Sequence, residues 1–345
     1  MNSNHPLVCV CIPVYNGAKT IAKTIQSILN QDYPNFEVCI CNNLSNDNTQ
    51  EIIAEFQSQS KTKISVLQNP IKGYAEDNWN FLLANLQTEA DYISLFHADD
   101  IYENNILSEE IKLIQKHKLS AAFSRCKLID ADGVDITIKQ NYNSRINDNN
   151  EPSIFKYDQL VRNILCYRNF LITPSCTFRI ELLNELKPLF NKAKFNSSSD
   201  LDAWLQIAKL GNIGIVPKAL INYRITENQG SYIINFGRTK PADFFTVMDA
   251  HIDDFDNKSS LNKELKKYNI MKAADVIICG VNLLKQGDAK EAMKSFKKGL
   301  KLTNCQTFRT LKYFRIHSYA LITLIMLQLR MGKSCMQLAQ KIKIG

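Results

Sequence analysis

Glycine and proline are scarce, at 12 and 9 of 345 residues, and tryptophan occurs only twice. So little of either backbone-breaking residue excludes a collagen-like fibre, and with 45% hydrophobic and 22% charged residues the chain is no disordered tract. Ten cysteines are present, but none forms a CxxC pair and no His cluster stands at zinc-ligand spacing, so zinc modules have no support. Cys9, Cys11, Cys39, Cys41 and Cys279 sit singly in apolar stretches, as expected for reduced core thiols of a cytosolic protein. Also missing are a GxxxxGK[ST] loop, a GxSxG elbow, an HExxH helix and a glycine-rich fingerprint after the first strand. The opening MNSNHPLVCV lacks a basic stretch followed by a long apolar one, so no signal peptide is expected. Long apolar runs are lacking too: Ile316 to Leu329 carries Ser318, Thr323 and Gln328 and falls short of the ~20 residues of a spanning helix. The length suits two domains at about 100–200 residues each and excludes a disulfide miniprotein or a lone peptide-binding module.

Acidic residues are rare in one place only. Residues 261–345 hold 17 Lys and Arg against 4 Asp and Glu, a balance of +13, while residues 1–260 hold 25 against 30, a balance of −5. The overall +8 is therefore a property of the C-terminal quarter. Such a segment suits an anionic lipid surface or another polyanion, and equally a solvated lysine-rich helical face. Nucleic acid is not expected as a partner, because few aromatics, mainly Phe308, Tyr313, Phe314 and Tyr319, are interleaved there for base stacking.

Leu7 to Ile12 is an apolar run rich in β-branched residues, stopped by Pro13 and the Asn16-Gly17 turn signal, and so reads as a buried strand. Residues 18–29 follow with Ile21, Ile25, Ile28 and Leu29 at helical spacing. Strands are then expected at 36–41, 64–67 and 92–96, and helices at 48–57 and 75–86. This alternation with short links predicts a parallel sheet covered by helices. Ligands of such sheets sit beyond the carboxyl ends of the strands. The segments there are Pro13-Val14-Tyr15-Asn16, Asn42 to Asp47, Asn69-Pro70 and His97-Ala98-Asp99-Asp100. Further strands are expected at 121–129 and 213–216, helices at 158–165 and 200–209, and a polar loop at 141–152. From about residue 241 the pattern is helical. Residues 273–302 read as two amphipathic helices joined at Gln286-Gly287-Asp288, similar to one tetratricopeptide-type hairpin with Gly287, Ala289, Ala292 and Phe296 in the small and aromatic places, or simply a helical cap.

Asp99-Asp100 directly after a strand is the sharpest chemical feature. Two adjacent carboxylates repel, and a hard divalent cation or ligand hydroxyls would balance them; a helix N-cap or a solvated turn is the alternative. The segments VCIPVYNGAKTIAKTIQSILNQDYPNFEVCICNNLSNDNT, NP at 69–70, NWN at 78–80 and YISLFHADD at 92–100 resemble the nucleotide-binding half of family 2 glycosyltransferases with the GT-A fold. The likeness runs from about residue 6 to 110 and resumes at 195–231. It implies an α/β domain over residues 1–240, with a Rossmann-like, mixed, mostly parallel sheet flanked by helices: a nucleotide-binding half at about 6–110 and an acceptor half at 111–240. A basic helical C-terminal extension, 241–345, follows.

The resemblance also assigns roles. Pro13, Tyr15 and Asn16 would line base and ribose, with Asn78 from NWN also binding the nucleotide-sugar. Asn42 stands where many relatives have an Asp that bonds the base, a departure because an amide both donates and accepts. Asp47 matches a later Asp of that loop, or else caps the helix that follows. Asp99 would contact ribose or sugar hydroxyls, and Asp100 would ligate Mn²⁺ or Mg²⁺ bridging the diphosphate. His97, where several relatives have an Asp, faces the ligand or is a capped structural residue. Asp200 holds the place of the family's catalytic base, with Ser199 replacing the usual Glu before it. Arg224 would close the nucleotide-sugar site; Thr226 stands where relatives often carry His, and Gln229 and Ser231 lie in a lid-like continuation. The implied activity is inverting transfer of a sugar from a nucleotide-diphosphate donor, with UDP the family's usual nucleotide, to a glycan or lipid-linked acceptor in cell-surface polysaccharide or glycoconjugate synthesis. Phe170 to Phe178 and the 140–152 loop are placed to shape the acceptor side. A non-catalytic nucleotide-sugar-binding or scaffold member of the family is the alternative. A cytoplasmic location is expected, peripheral at the inner membrane face if the C-terminal helices dock there; a buried helix or a dimer seam would explain their apolar residues as well.

Overall fold

Runs of Val, Ile and Cys that bury both faces become the inner strands of a sheet. In the computed structural model, β1 (Val8–Val14) pairs in parallel with β2 (Phe36–Asn42) on one side and β4 (Tyr92–Leu95) on the other, and β2 pairs in parallel with β3 (Ile64–Gln68). The structure describes residues 5–136, 151–226, 237–302 and 311–329, with Met331, Cys335, Ala339 and Gln340. Helices α1 (Ile21–Leu29), α2 (Thr49–Gln59) and α3 (Ala75–Asn85) are the crossovers between these strands. Ile21, Ile25 and Ile28 form the buried stripe that their spacing predicts.

Beyond β4 the direction of pairing changes. β5 (Ile101–Tyr102) and α4 (Ile106–His117) lead to β6 (Ala121–Ile129), β7 (Ser153–Phe155), α5 (Tyr157–Tyr167) and β8 (Cys176–Arg179). The short α6 (Lys192–Phe195), α7 (Ser199–Leu210) and β9 (Ile213–Arg224) follow. The nine strands form one sheet in the order β3-β2-β1-β4-β8-β6-β9-β5, with β7 also on β9. β8 runs antiparallel to both β4 and β6, whereas β6 and β9 are parallel. The mixed sheet flanked by helices is the architecture expected. β9 differs in extent: it continues to Arg224 rather than ending near Val216. Its register shifts opposite Ser124 and Arg125, leaving Pro217 and Lys218 out of the ladder, so the proline interrupts the pairing without ending the strand. That continuation matters, because β5 pairs with the far end of β9 through Ile101 opposite Asn222.

The chain divides into two compact units, one formed by residues up to Leu160 with Asn169–Thr226, the other by Val161–Arg168 with the chain beyond Thr226. In the second unit are α8 (Asp243–Asp253), α9 (Asn262–Lys285), α10 (Ala289–Lys301) and α11 (Leu311–Gln328). The hairpin of α9 and α10 turns where expected. Gly287 has φ +89, a left-handed conformation suited to glycine, and the Asp288 side chain accepts from the Glu291 N–H to start α10. The helices approach closely: a Cβ on Gly299 would lie 2.5 Å from Ile277 Cγ1. Ile277, Val281, Leu284, Ala292, Phe296 and, from α11, Ala320 and Leu327 make the core of this unit. Among the described residues no helix is long and apolar enough to cross a membrane. The nine cysteines described are free thiols, seven of them buried, as their apolar settings predict.

One polar group is sealed inside the first unit. Glu110 on α4 is fully buried and accepts from the Ser124 hydroxyl and, at 2.6 Å, from that of Thr177, which lies 2.7 Å from Ser94 Oγ across the β4–β8 pair. Burial raises the Glu110 carboxyl from 4.5 to about 8, against the two hydroxyl bonds that favour its ionised form. The folded state therefore binds a proton that the unfolded state has released, and stability from this group is lost as pH rises from 4.5 to about 8. Thermal melts across that window should show the wild type losing stability relative to Glu110→Gln as pH rises, since the amide mimics the protonated acid; parallel curves would place the proton elsewhere.

Candidate active site

Five contacts fix the turn after β4. The Thr24 hydroxyl lies 2.8 Å from the Asp100 carbonyl and 3.0 Å from that of Ala98, which also accepts from Thr20 at 3.0 Å. Tyr102 stacks on Phe96 with centroids 3.8 Å apart, and its hydroxyl accepts from the His97 N–H at 2.7 Å. These clamps present the side chains of His97, Asp99 and Asp100 as a cluster whose ligand atoms all lie within 4.8 Å of one another.

Within the cluster Asp100 has no exposure to solvent. One carboxylate oxygen accepts from the Arg224 N–H at 2.8 Å, while the other, Oδ2, is buried with no hydrogen-bond partner and lies 3.9 Å from His97 Nδ1. Burial, with the Asp99 carboxylate beside it, pushes Asp100 well above the ordinary carboxylate range; the Arg224 N–H and guanidinium pull the other way. Such a site stabilises the ionised form once a cation is present. Two carboxylates and an imidazole are donors that Mn²⁺ accepts readily and Mg²⁺ accepts through oxygen. The orphaned Asp100 oxygen is what makes the donor set fit a metal.

Asp200 stands in the first turn of α7. Its Oδ2 accepts from Thr173 at 2.7 Å, its Oδ1 from the Leu201 N–H at 2.7 Å, and Trp204 Nε1 donates to Thr173 at 3.3 Å. Burial raises the Asp200 carboxyl above its ordinary value; the Thr173 hydroxyl, the helix N–H groups and His97 limit the rise. His97, held below its ordinary value by burial, lies within electrostatic reach of both Asp99 and Asp200. Its ring is 6.1 Å from that of Trp79, whose contacts continue through Phe190 to Trp204. Thus α7 and the turn after β4, 100 residues apart, meet around one histidine. Trp204, Ile207 and Ala208 are buried as the helical spacing predicts.

The other site residues divide sharply. Tyr15 is 43% exposed at the end of β1, its ring 4.7 Å below Lys72 Nζ, and Pro13 is part-buried in the strand beside Cys41. Asn16, at φ +50, braces the neighbouring loop: its side-chain oxygen accepts from the Asn46 N–H, and its own N–H donates to Ser45. Asp47 lies just before α2, where its carboxylate accepts from the Thr49 and Ala18 N–H groups. Those bonds and the Thr49 hydroxyl hold it below its ordinary value despite burial.

Three expected ligand-binding side chains point elsewhere. Asn42 is buried, donating to Gln50 at 2.8 Å and accepting from the Ser45 N–H, so both ends of its amide serve the loop. Asn78 is buried against Cys41 and Asn69, bonding the Cys41 carbonyl and thiol and the Asn69 amide. Arg224 is buried with its guanidinium on the carbonyls of Asp99, Asp130 and Ala131 at 2.7–2.8 Å. Its guanidinium donates to backbone carbonyls and lies within electrostatic reach of Asp100. Gln229, Ser231 and most of the 140–152 loop lie outside the described residues, whereas Thr226 is described and part-buried.

Sequence reasoning missed Thr20, Thr24, Tyr102, Thr173 and Glu76, the last a part-buried acid within electrostatic reach of Asp200. None carries a local signal, since a threonine on a buried helix face looks like any other core position. Thr20 and Thr24 lie within the segment that carries the family resemblance, and Thr173 within Phe170 to Phe178, but nothing local singles any of them out.

Comparison with known proteins agrees with this geometry. Residues 9–186, more than half of the chain, match the model of glycosyl transferase family 2. The chondroitin synthase of Pasteurella multocida is 26% identical over 306 residues, covering 84% of this chain, which spans only 29% of that protein. The Escherichia coli UDP-Glc:alpha-D-GlcNAc-diphosphoundecaprenol beta-1,3-glucosyltransferase WfgD is 28% identical over 225 residues, 64% of this chain and 78% of its own. Among solved structures, Staphylococcus aureus TarS 1–349 with UDP-GlcNAc shares the fold at TM-score 0.62 and 17% identity, covering 94% of this chain and 92% of that one. Mannosyltransferase PcManGT from Pyrobaculum calidifontis, with GDP-Man and Mn²⁺, does so at TM-score 0.52 and 15% identity over 98% and 85% of the two chains. A GT-A-like sheet, an acidic cluster after its fourth strand and the match over residues 9–186 establish that this chain belongs to glycosyl transferase family 2.

Proposed function

We propose that this glycosyltransferase moves a sugar from a UDP-sugar to a hydroxyl of a glycan or lipid-linked acceptor, with inversion, in the synthesis of a surface polysaccharide or glycoconjugate. The observation that carries the reading is the buried, unpartnered Asp100 oxygen clustered with His97 and Asp99, with Asp200 within electrostatic reach of His97. Asp200 takes the proton of the acceptor hydroxyl as that oxygen attacks the anomeric carbon, and the bond from that carbon to the diphosphate oxygen breaks. One displacement inverts the centre. A raised carboxyl suits the task, because a stronger base accepts a hydroxyl proton more readily. Asp100, with His97 and Asp99, would hold a divalent cation, Mn²⁺ or Mg²⁺, whose charge offsets that gathering on the departing diphosphate. Arg224 keeps Asp100 in place, and the exposed face of Tyr15 is available to base or ribose.

UDP is favoured as the nucleotide because WfgD is named for UDP-Glc and the TarS structures hold UDP and UDP-GlcNAc. The lipid-linked acceptor has its support in the diphosphoundecaprenol of WfgD, and the glycan acceptor in chondroitin synthase. Asn42 leaves the base contact to the backbone or to side chains other than its own, since its amide is occupied within the loop.

Thermal-shift assays with UDP, GDP, dTDP and CMP, each with Mn²⁺, Mg²⁺ or chelator, test the donor site. UDP is expected to stabilise the wild type only with metal, and Asp100→Ala to lose that stabilisation. No shift under any condition would favour a non-catalytic scaffold member instead. Asp200→Asn should lower kcat by about 10²–10⁴-fold with UDP binding retained. Thr173→Val removes a bond to the ionised Asp200, so the carboxyl rises further and the acid limb of the kcat profile should move to higher pH; an unmoved limb would assign the base to another group.

A further inference from the structure

Glu110 is a buried acid that the transfer reaction does not use, in a place where an apolar side chain would hold α4 to the sheet at lower cost. Its partners lie on two strands. The carboxyl bonds the Ser124 hydroxyl of β6 and, at 2.6 Å, the Thr177 hydroxyl of β8. The ladder between these strands is short, with Ala121 opposite Phe178 and Ala122 opposite Thr177, so Glu110 clamps them where their pairing ends.

On the other side of Thr177 the chain leaves the sheet as the 3-10 turn Thr173–Ser175. Ser175, with no exposure to solvent, bridges the gap that this opens. Its hydroxyl accepts from the Ser124 N–H at 3.1 Å and donates to the Ile172 carbonyl at 2.7 Å, so a side chain takes the place of a strand partner. Pro174, whose ring fixes its φ, stiffens the next link. Thr173 follows, donating to Asp200 Oδ2 at 2.7 Å and accepting from Trp204 Nε1 at 3.3 Å. An unbroken run of hydrogen bonds and one proline thus joins the buried acid of α4 to the carboxylate in the first turn of α7. A fully bonded polar network in a core selects one arrangement of the elements that it ties.

We propose that Glu110 and Ser175 are positioning residues for the transfer: they fix the turn that carries Thr173, and so aim the Asp200 carboxylate at the acceptor hydroxyl. This role rests on the reading of Asp200 as the base.

Trp79 and Trp204 are the only tryptophans of the chain, so the indole N–H groups give one resonance each in a proton–nitrogen correlation spectrum, assigned with Trp79→Phe. Ser175→Ala and Glu110→Leu should move the Trp204 resonance, as Thr173→Val does, and leave that of Trp79 in place; a general loosening of the core would move both. Glu110→Gln, which offers an acceptor and a donor to the same two hydroxyls, should restore the wild-type position. These shifts are read without turnover, so they decide the placement of Thr173 whichever donor the enzyme takes. Release of UDP from UDP-Glc and UDP-GlcNAc, with Mn²⁺ and with water as the acceptor, adds the kinetic readout. Ser175→Ala and Glu110→Leu should lower kcat by about tenfold or more with the donor KM unchanged. Glu110→Leu should cost little more in a Thr173→Val background, since both act through one bond. Thermal melts establish which variants are folded, and Ser175→Ala decides the matter if Glu110→Leu is not. The proposal is overturned if the Trp204 resonance stays in place in folded Ser175→Ala, or if Asp200→Asn abolishes UDP release while the Ser175 and Glu110 variants keep the wild-type kcat. Release that survives Asp200→Asn overturns instead the reading of Asp200 as the base, and this role with it.

Discussion

A carboxylate shut away from water at the end of β4 is the constraint around which the catalytic unit is arranged. Asp100 is fully buried beside a second acid, a position that costs free energy unless backbone donors and a cation compensate it. The protein supplies part of that compensation from the far end of β9. There the Arg224 N–H binds the side chain, and the Arg224 guanidinium binds the carbonyl of the preceding aspartate. This is possible because β5, two residues long, follows the acidic pair immediately and pairs with β9 at Asn222. The shortest strand of the sheet therefore sets the position of its most consequential side chain.

The rest of the site depends on the same turn. Thr20 and Thr24 reach up from α1 to its carbonyls, and Tyr102 closes it by stacking on Phe96, so strand, helix and turn hold one another. His97 then projects toward α7, where Thr173 and Trp204 orient Asp200. The candidate base and the candidate metal ligand come from elements separated by 100 residues, brought together because β8 enters the sheet antiparallel between β4 and β6. The 3-10 turn before β8 carries Thr173, so the antiparallel insertion that makes the sheet mixed also delivers the group that holds the base.

The nucleotide-binding half was legible because its signals are local. Buried parallel strands read as continuous apolar runs, crossover helices show period 3.6, and strand ends show polar turn residues. β1 through β4 and the helices between them fall where these patterns predict, within a residue or two at most ends and up to three at the start of α1. β9 was read too short because a proline within a strand resembles a terminator, whereas a register shift in the β6–β9 pair accommodates it. The places of Asp99, Asp100 and Asp200, after a strand and in a first helical turn, were legible locally, whereas the roles expected of them came from the family resemblance. The roles of Asn42, Asn78 and Arg224 were not. An amide or guanidinium at a strand end looks the same in sequence whether it faces ligand or backbone, and here all three face the protein's own polar groups. A buried carbonyl or amide without a partner is costly, so the fold claims such side chains first.

The sequence by itself determined the alternation of strands and helices, the acidic turn after β4, the helix start that carries Asp200, the hairpin at Gly287 and the concentration of positive charge beyond residue 261. Each is written in neighbouring residues, through side-chain periodicity, turn chemistry or charge. Only the tertiary structure decided which polar side chains remain available. It turned Arg224 inward and left one oxygen of Asp100 without a hydrogen-bond partner. Those outcomes depend on hydrogen-bond and packing partners distant in the chain, and no local pattern encodes which of two chemically suitable partners a buried group will find.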